Sequence, residues 1–264
     1  MTYDFIKYNP AGNMTLLILS PVARAQQPRV AAALMDEGSV HAEQVGFVEP
    51  ATLPGARMRL QMMGGEFCGN AAMCLGAHLA RETGAAGEMA LEISGARGLV
   101  NCRVDVRGDA RGDAHHCALE MPLPARLARM GDVPVIQLPG IAHGICEGED
   151  IDALRAGAPA LAKEIAAHTG AQAAGVMLLD RRKMALAPLV YVPSSDTMVW
   201  ERGCGSGTAA VGAYLALTQA RDVAATLAQP GGAIAVSAAY ENGAVRALRI
   251  ATDVRIVAEG RAYL

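Results

Sequence analysis

The sequence predicts a protein of mixed α/β class that is built as two similar lobes. The chain has 264 residues, which at roughly 150 residues per domain suits one large domain or two modest ones. One segment of the sequence occurs twice, with its copies about half a chain length apart. Short apolar runs that are typical of strands surround both copies, and few longer helical patterns lie between them.

The repeated segment begins with cysteine, which is scarce in this chain. Residues 68–80 align without gaps to residues 204–216, and six of the thirteen pairs are identical. Both copies start with Cys-Gly, contain an inner Gly-Ala and close with Leu-Ala. Such self-similarity indicates a duplicated structural unit. Chance similarity between two helices rich in Ala and Gly is the alternative.

Each copy predicts a buried helix. Asn70 and Ser206 are small polar residues that each follow a glycine, as at a helix start, and mainly apolar residues come after them. The first helix is expected to end near Gly84 and the second near Asp222. Amphipathic patterns predict two more helices, at 28–35 and 150–169.

Apolar runs and alternating segments predict the strands. In the first half they are 5–8, 14–19, 58–62, 89–93, 100–106 and 117–121; in the second they are 133–138, 175–180, 185–192, 233–238, 245–250 and 254–258. Pro122 and Pro124 predict the lobe boundary, because proline ends strand pairing. The expected lobes are 1–122 with Cys68 and 125–252 with Cys204, and the strand within 253–264 is expected to return to the first lobe.

Composition and charge narrow the class of partner. The net charge is −3, with 52% hydrophobic and 19% charged residues, as in a globular protein with a substantial core. No run of Lys or Arg is suited to a phosphate backbone, so no nucleic-acid partner is expected. The uncharged stretch 203–220 contains glycines and polar residues that disfavour a bilayer-spanning helix. We expect a small-molecule ligand and no membrane association.

The apolar run 14–22 and the small residues that follow leave a secretory signal open as an alternative. Asp4 in the would-be basic region and Pro21 inside the run favour a buried strand instead. With 6 cysteines, a large core and no Cys-x-x-Cys pair, we expect reduced thiols in the cytoplasm and no metal site. His115, His116 and Cys117 are expected to lie alone in a turn.

A cysteine at a helix start is suited to acid–base chemistry. Backbone N–H groups and the helix dipole stabilise a thiolate there and are expected to lower the pKa of the thiol. The same N–H groups bind a carboxylate. If the lobes close face to face, one thiolate removes the Cα proton of an amino acid while the other thiol protonates the opposite face. The segment 203–207 lacks nucleotide-binding spacing, so no cofactor is expected.

These residues resemble the motifs of the diaminopimelate epimerase family. The matching segments are Gly12-Asn13, Cys68-Gly69-Asn70, and Trp200-Glu201-Arg202-Gly203 directly before Cys204-Gly205-Ser206-Gly207. The resemblance covers most of the chain and implies two lobes, each a barrel-like, mostly antiparallel sheet around a central helix. It also implies a homodimer without pyridoxal phosphate, in which Cys68 and Cys204 are the acid and the base.

The resemblance also implies the roles of the flanking residues. Backbone N–H groups would bind the α-carboxylate at Gly69, Asn70, Gly205 and Ser206. Asn13 would contact the substrate, and Glu201 and Arg202 would line the side of the amino group. Glu66, interpreted as a first-turn acid, and His143 are weaker candidates for substrate contact. The cysteines without a repeat partner are expected to be core thiols, and His78 a core histidine: these cysteines are Cys74, Cys102, Cys117 and Cys146.

Departures from the family pattern point away from diaminopimelate as substrate. Residues 62–66 read Met-Met-Gly-Gly-Glu in place of Asn-Ala-Asp-Gly, residues 141–143 read Ile-Ala-His in place of Asn-Pro-His, and an asparagine near 174–177 is missing. Apolar residues cannot replace the hydrogen bonds of those asparagines to a charged distal group. Glu-Arg-Gly directly before the second cysteine is more similar to the histidine racemases that feed opine-type metallophore synthesis.

Histidine is therefore the expected substrate, with its imidazole in a cleft lined by Met62, Met63 and Glu66. Three alternatives stay open. The substrate is diaminopimelate or another amino acid; the protein is a proton-shift isomerase for another substrate; or it is a binding module that retains the cleft without catalysis. Retention of both cysteines counts against a proton-shift isomerase. Isotope exchange at Cα distinguishes an enzyme from a binding module without catalysis.

Overall fold

A computed structural model describes residues 1–107 and 114–264, and its contacts divide the chain into two compact units. The N-terminal unit comprises Met1–Glu120 together with Ala251–Leu264, and the C-terminal unit comprises Met121–Ile250. The chain changes unit at Met121, directly before the two prolines, and changes back within its last strand, Ala244–Tyr263.

The N-terminal unit is a mostly antiparallel sheet around one helix. Its elements are β1 (Thr2–Pro10), β2 (Thr15–Ile18), α1 (Gln27–Met35), β3 (Gln44–Glu49), β4 (Arg59–Met62), α2 (Gly69–Thr83), β5 (Gly87–Ile93), β6 (Leu99–Arg107) and β7 (Ala114–Glu120), with a 3₁₀ turn at Arg24–Gln26 before α1. The strands pair in chain order, and the last strand of the chain pairs with both β7 and β1. The sheet is therefore closed, without an edge.

Helix α2 fills the inside of this closed sheet because its residues are small or apolar. It contacts every strand from β1 to β7, and residues 69–80 are all buried. A Cβ atom at Gly76 would lie 2.6 Å from the Sγ of Cys102, so only glycine permits this approach of helix to sheet. Helix α1 packs outside, with Val30 and Leu34 in a core that includes Phe47.

The C-terminal unit also has a helix covered by strands. Its elements are β8 (Arg126–Met130), β9 (Val133–Leu138), β10 (Ile141–Glu147), α3 (Ile151–Arg155), α4 (Ala158–Thr169), β11 (Ala173–Asp180), β12 (Ala185–Val192), β13 (Thr197–Trp200), α5 (Gly205–Gln219), β14 (Val223–Gln229), β15 (Gly232–Glu241) and β16 (Ala244–Tyr263), with a 3₁₀ turn at Pro193–Ser195. The strand order is β8-β9-β10-β11-β12-β14-β15-β16, and β13 pairs with β12. Helix α5 contacts β15, β14, β9, β10 and β11, whereas α4 packs on β11 and β12.

The predicted class, mixed α/β with a barrel-like sheet, is confirmed, and several element bounds differ from prediction. Helix α2 ends before Gly84 as predicted, but α5 ends at Gln219, since Ala220 adopts the left-handed conformation with φ 50°. The predicted helix 150–169 is two helices, α3 and α4, separated at Ala156 and Gly157. The predicted strands 245–250 and 254–258 are one continuous strand, β16.

Short or polar strands were not predicted from the pattern. The missed strands are β3, β8, β10, β13 and β14. The turn expected at His115, His116 and Cys117 is wrong, because these residues lie within β7. The apolar run at 14–22 contains β2, whose four residues are all buried. Within the described ranges, no helix has the length and apolar character needed to cross a membrane.

Glu92, near the end of β5, binds the loop that precedes β4 through hydrogen bonds. Its carboxylate accepts hydrogen bonds from Thr52 N (2.6 Å), Thr52 Oγ1 (2.7 Å) and Leu53 N (3.0 Å), and it also pairs with Arg59. Burial raises the pKa of Glu92, but these hydrogen bonds outweigh burial and lower its pKa to about 2. The ionised carboxylate therefore stabilises the folded state.

We predict that Glu92→Gln lowers the melting temperature by several degrees at pH 7, because hydrogen bonds to a charged acceptor are lost. A lowered carboxyl pKa stabilises the fold above its unfolded value of about 4.5, and this contribution is lost as the pH falls towards 2. The difference in melting temperature between the variant and the parent should therefore be smaller at pH 3 than at pH 7. Thermal unfolding followed by circular dichroism measures this difference. Glu88→Gln, on the exposed side of the same strand, is the control. An equal gap at both pH values would contradict this account.

Candidate active site

Cys68 and Cys204 are the N-cap residues of α2 and α5. Both have extended backbone conformations, with φ of −127° and −115°, and each sulfur accepts a hydrogen bond from the N–H three residues later. The distances are 3.4 Å from Ala71 N to Cys68 Sγ and 3.3 Å from Gly207 N to Cys204 Sγ. Each sulfur thus lies at the positive end of a helix dipole.

The helices begin two residues earlier than they would if Asn70 and Ser206 were the N-caps. Asn70 and Ser206 are the second residues of α2 and α5, and the cysteines supply the capping acceptor. The carbonyl of each cysteine accepts the first helical hydrogen bond, from Ala72 N in α2 and Thr208 N in α5, both at 3.0 Å. A thiol at this position is therefore both a structural cap and a candidate acid or base.

The backbone of Cys204 is fixed by a buried polar network. Its N–H donates to Gln229 Oε1 at 2.8 Å, and its carbonyl accepts from Thr208 Oγ1 at 2.7 Å. Gln229 Nε2 in turn donates to Thr208 Oγ1 at 2.8 Å. Sequence reasoning missed Gln229 and Thr208. Their contacts depend on β14 lying beside α5, which no local pattern indicates.

The thiol of Cys204 is held in its neutral form. Burial raises its pKa well above the ordinary value, and the charge of Glu201 and a hydrogen bond with that carboxylate raise it further. Hydrogen bonds with Ser206 and the Gly207 N–H lower the pKa by less. The expectation of a lowered pKa at this helix start is wrong for Cys204, because burial and the Glu201 carboxylate outweigh the dipole.

Ser206 links Cys204 to His143. Its Oγ lies 3.5 Å from Cys204 Sγ and 3.0 Å from His143 Nε2. His143 lies on β10 and has no exposed surface, and burial lowers its pKa to about 3, so the ring is neutral. A Cβ atom at Gly175, its register partner on β11, would lie 2.2 Å from His143 Nδ1. His143 therefore reaches Cys204 through Ser206.

The surroundings of Cys68 are different. Its half-buried thiol donates to Gln44 Oε1 at 2.6 Å, and its thiolate charge would couple to the buried Cys74 on the same helix. Gln44 is the first residue of β3. Sequence reasoning missed it, although Glu43 and Gln44 form a polar pair directly before an apolar run. Such a pair is the available signal for polar side chains at a strand end.

Asn13 lies in the turn between β1 and β2, which Ala11 and Gly12 form with φ of 51° and 88°. The side chain is buried, and its Nδ2 donates to Glu43 Oε2 at 2.9 Å. Its Oδ1 has no hydrogen-bond partner in the part of the chain that the structure describes. An unsatisfied buried amide oxygen is costly, which makes Asn13 a candidate for ligand contact.

The other predicted residues have distinct positions. Gly69, Asn70 and Gly205 are buried at the helix starts. Glu201 is half-buried beside Cys204, and Arg202 is exposed. The structure therefore gathers Glu201, Ser206 and His143 around Cys204.

The predicted surroundings of Cys68 need two corrections. Glu66 is exposed and lies two residues before the N-cap, so it is not a first-turn acid. Met62 has only 1% exposure, so it does not line a cleft, and Met63 packs partly against the α1 core. Burial on β4 thus removes Met62 from the residues that are suited to contact an imidazole.

Three of the four cysteines without a repeat partner are core thiols, as expected, whereas Cys146 on β10 is half-buried. Cys74, Cys102 and Cys117 have no exposure, and burial raises the pKa of Cys74. Burial lowers the pKa of His78, as expected for a core histidine. Among residues 1–107 and 114–264, no group of three or more His, Cys, Asp or Glu is arranged to hold a metal ion.

Comparison with known proteins gives a full-length match. A family model described as the histidine racemase CntK N-terminal domain matches residues 2–263. The chain belongs to the histidine racemase family. It is 30% identical to a histidine racemase of Staphylococcus aureus, over 99% of this chain and 97% of that protein. It is 31% identical to one of Fusobacterium nucleatum subsp. nucleatum, again over 99% and 97%.

A solved structure shows the same fold at lower identity. A predicted epimerase from Pseudomonas aeruginosa superposes with a TM-score of 0.71 at 18% identity and covers 99% of both chains. The family match and the relatives show that the chain is an isomerase, an amino-acid racemase.

We predict that Glu201→Gln lowers the pKa of Cys204, since a neutral amide removes the negative charge that opposes thiolate formation. The thiolate absorbance near 240 nm, taken as the difference between each protein and its Cys204→Ser counterpart, should then rise at lower pH. Glu164→Gln, on the exposed side of α4, should leave the titration unchanged. A titration of Cys204 that does not move in Glu201→Gln would show that burial alone determines its pKa.

Proposed function

We propose that this racemase interconverts the enantiomers of histidine by two-base proton transfer, with Cys68 and Cys204 as the pair of acid and base. The observation that carries this proposal is that both sulfurs cap equivalent helices and accept equivalent N–H bonds. Such placement favours a thiolate, and at Cys204 burial and the Glu201 carboxylate oppose this effect and keep the thiol protonated. The similarity to histidine racemases supports the choice of substrate.

The proposed reaction starts with one sulfur ionised and the other protonated. The thiolate takes the Cα proton, the electron pair of that C–H bond remains on Cα and its carboxylate, and the thiol delivers its proton to the opposite face. The two sulfurs then have exchanged protonation states. The raised pKa of Cys204 supports Cys204 as the proton donor in the first half of this cycle and Cys68 as the acceptor.

The charged groups of the substrate are assigned to residues at the starts of α2 and α5 and to residues directly before α5. We assign the α-carboxylate to the backbone N–H groups of Gly69, Asn70, Gly205 and Ser206, since helix N-termini stabilise both a carboxylate and the charge that develops when Cα loses its proton. Glu201 and Arg202 are assigned to the side of the amino group, and Asn13 to substrate contact through its buried Oδ1.

The imidazole has fewer assigned contacts. Met63 and Glu66 remain candidates because both keep exposed surface, whereas Met62 does not. His143 contributes through Ser206 and not by direct contact. The D-histidine product fits a role in supplying opine-type metallophore synthesis. The motif resemblance further supports kinship with diaminopimelate epimerases and a homodimer, and the use of cysteine in a chain with a large core supports a cytoplasmic location.

We predict that the purified, reduced protein in D₂O, without added pyridoxal phosphate, exchanges the Cα–H of L-histidine. Proton NMR of separate samples of L-amino acids and meso-diaminopimelate follows the loss of each Cα–H signal. Exchange with histidine alone supports the proposed substrate. Exchange with diaminopimelate instead would mean that the missing asparagines are dispensable, and exchange with no amino acid would overturn the proposal.

Replacing either proposed base should abolish racemisation. We predict that Cys68→Ser and Cys204→Ser each lower kcat at least about a hundredfold, since a serine hydroxyl is a far weaker base at neutral pH. Serine retains an oxygen that can cap the helix, so the fold should survive. Cys146→Ser, at a half-buried thiol on β10, is the control and should retain activity. Polarimetry with L- and D-histidine measures both directions, and substantial activity in either active-site variant would exclude the two-base pair.

A further inference from the structure

The amide of Gln44 is placed directly against the thiol of Cys68. The distance from Cys68 Sγ to Gln44 Oε1 is 2.6 Å, so no other atom separates them. Gln44 begins β3, where it is paired in register with Thr15 of β2, and its backbone N–H donates to Met14 O at 3.2 Å. The backbone of Gln44 is therefore fixed, and its side chain approaches Cys68 from a rigid strand.

The equivalent thiol in the C-terminal unit has a partner of different chemistry. Cys204 interacts with the carboxylate of Glu201 and the hydroxyl of Ser206. An ionised carboxylate only accepts hydrogen bonds, so it favours a protonated thiol. A glutamine amide has both an acceptor oxygen and an NH₂ donor, so it is suited to a thiol and to a thiolate alike.

We propose that Gln44 is a positioning residue that hydrogen-bonds Cys68 in both of its protonation states and thereby makes Cys68 the more easily ionised of the two reactive sulfurs. With the thiol, Oε1 accepts the S–H bond as the structure shows. With the thiolate, a rotation of about 180° around the terminal side-chain torsion presents Nε2–H to the sulfur. The inference rests on the proposed function only in naming Cys68 and Cys204 as the reactive pair.

The hydrogen bond from the Cys68 thiol to Oε1 is weaker than the one from Nε2–H to the thiolate. Gln44 therefore has a net effect on the ionisation of Cys68. A thiol is a weak donor, whereas a bond from N–H to an ionised sulfur is charge-assisted and about twice as strong as a neutral one. The amide therefore stabilises the thiolate more than the thiol. Because the terminal amide torsion is broad and two-fold, the rotation needs no movement of the strand.

Other titratable groups near Cys68 do not supply this effect. Cys74 lies six residues after Cys68, within α2. Burial raises the pKa of Cys74, so its thiol stays neutral. Glu43 precedes Gln44 and is bonded to Asn13, and Glu66 lies exposed before the helix. Both are carboxylates, which disfavour a thiolate. Gln44 is thus a neutral side chain in contact with Cys68 that can favour its ionised form, in addition to the backbone N–H of Ala71.

The test is the pH dependence of alkylation at each cysteine. Intact protein is treated briefly with iodoacetamide between pH 5 and 10, digested, and analysed by mass spectrometry, so that Cys68 and Cys204 give separate alkylation rates at each pH from one sample. In the parent, Cys68 should reach its maximal rate at lower pH, whereas the rate at Cys204 should still be rising at pH 10. Gln44→Met, close in shape but without the amide, should slow Cys68 alkylation at pH 7 about three- to tenfold. Gln44→Glu should slow it more than tenfold, which corresponds to a midpoint more than one pH unit higher.

The controls separate this role from a structural one. The alkylation rate of Cys204 at each pH should be the same in both variants as in the parent, and Gln26→Glu, which adds the same charge at an exposed site, should leave the Cys68 midpoint unchanged. The proposal would be overturned if the Cys68 midpoint is unchanged or lower in Gln44→Met. An unchanged Cys68 midpoint in Gln44→Glu would also overturn it. If one variant does not fold, the other variant alone is sufficient for the test. The midpoints need no turnover, so they hold or fail independently of Cα exchange with histidine.

Discussion

Capping of α2 and α5 by cysteine sulfur is the interaction on which the candidate site depends. In each unit the chain enters the helix in extended conformation, and the sulfur is tied to the N–H three residues on. An N-cap side chain satisfies one of the backbone N–H groups that have no partner within the helix. The proposed reactive sulfur is thus oriented by a hydrogen bond at the start of its helix.

The chain has two such helix starts, and the groups around their cysteines differ. Cys68 contacts a neutral amide, and Cys204 contacts a carboxylate and a serine that is itself bonded to a neutral, buried histidine. A two-base racemase requires one sulfur ionised while the other is protonated. Under the proposed mechanism, the different partners of Cys68 and Cys204 would provide that difference before any substrate binds, whereas two identical sites would share one proton without preference.

The sequence predicts the two buried helices and the placement of Cys68 and Cys204 at their starts, because both depend on local features. Cysteine recurs at the same place in the repeat, Gly84 ends α2, and the apolar helices are unmistakable. The pKa of Cys204 was predicted in the wrong direction, since its value depends on burial and on the orientation of Glu201, neither of which has a local signal. Gln44 and Gln229 were missed for a related reason. Each reaches its cysteine across some twenty-five residues of chain, through strand positions that only the folded sheet defines.

The most direct test of the two-sulfur mechanism is the time course of optical rotation in D₂O, beginning with fully protonated L-histidine. If the proton removed by one sulfur is never returned and the new one always comes from the other, every D-histidine formed carries deuterium at Cα. The slower removal of deuterium then makes the rotation pass through zero and overshoot before it settles there. The two-sulfur mechanism predicts this overshoot from both enantiomers. A smooth decay to zero, with the original hydrogen retained in the product, would show a single base and contradict it.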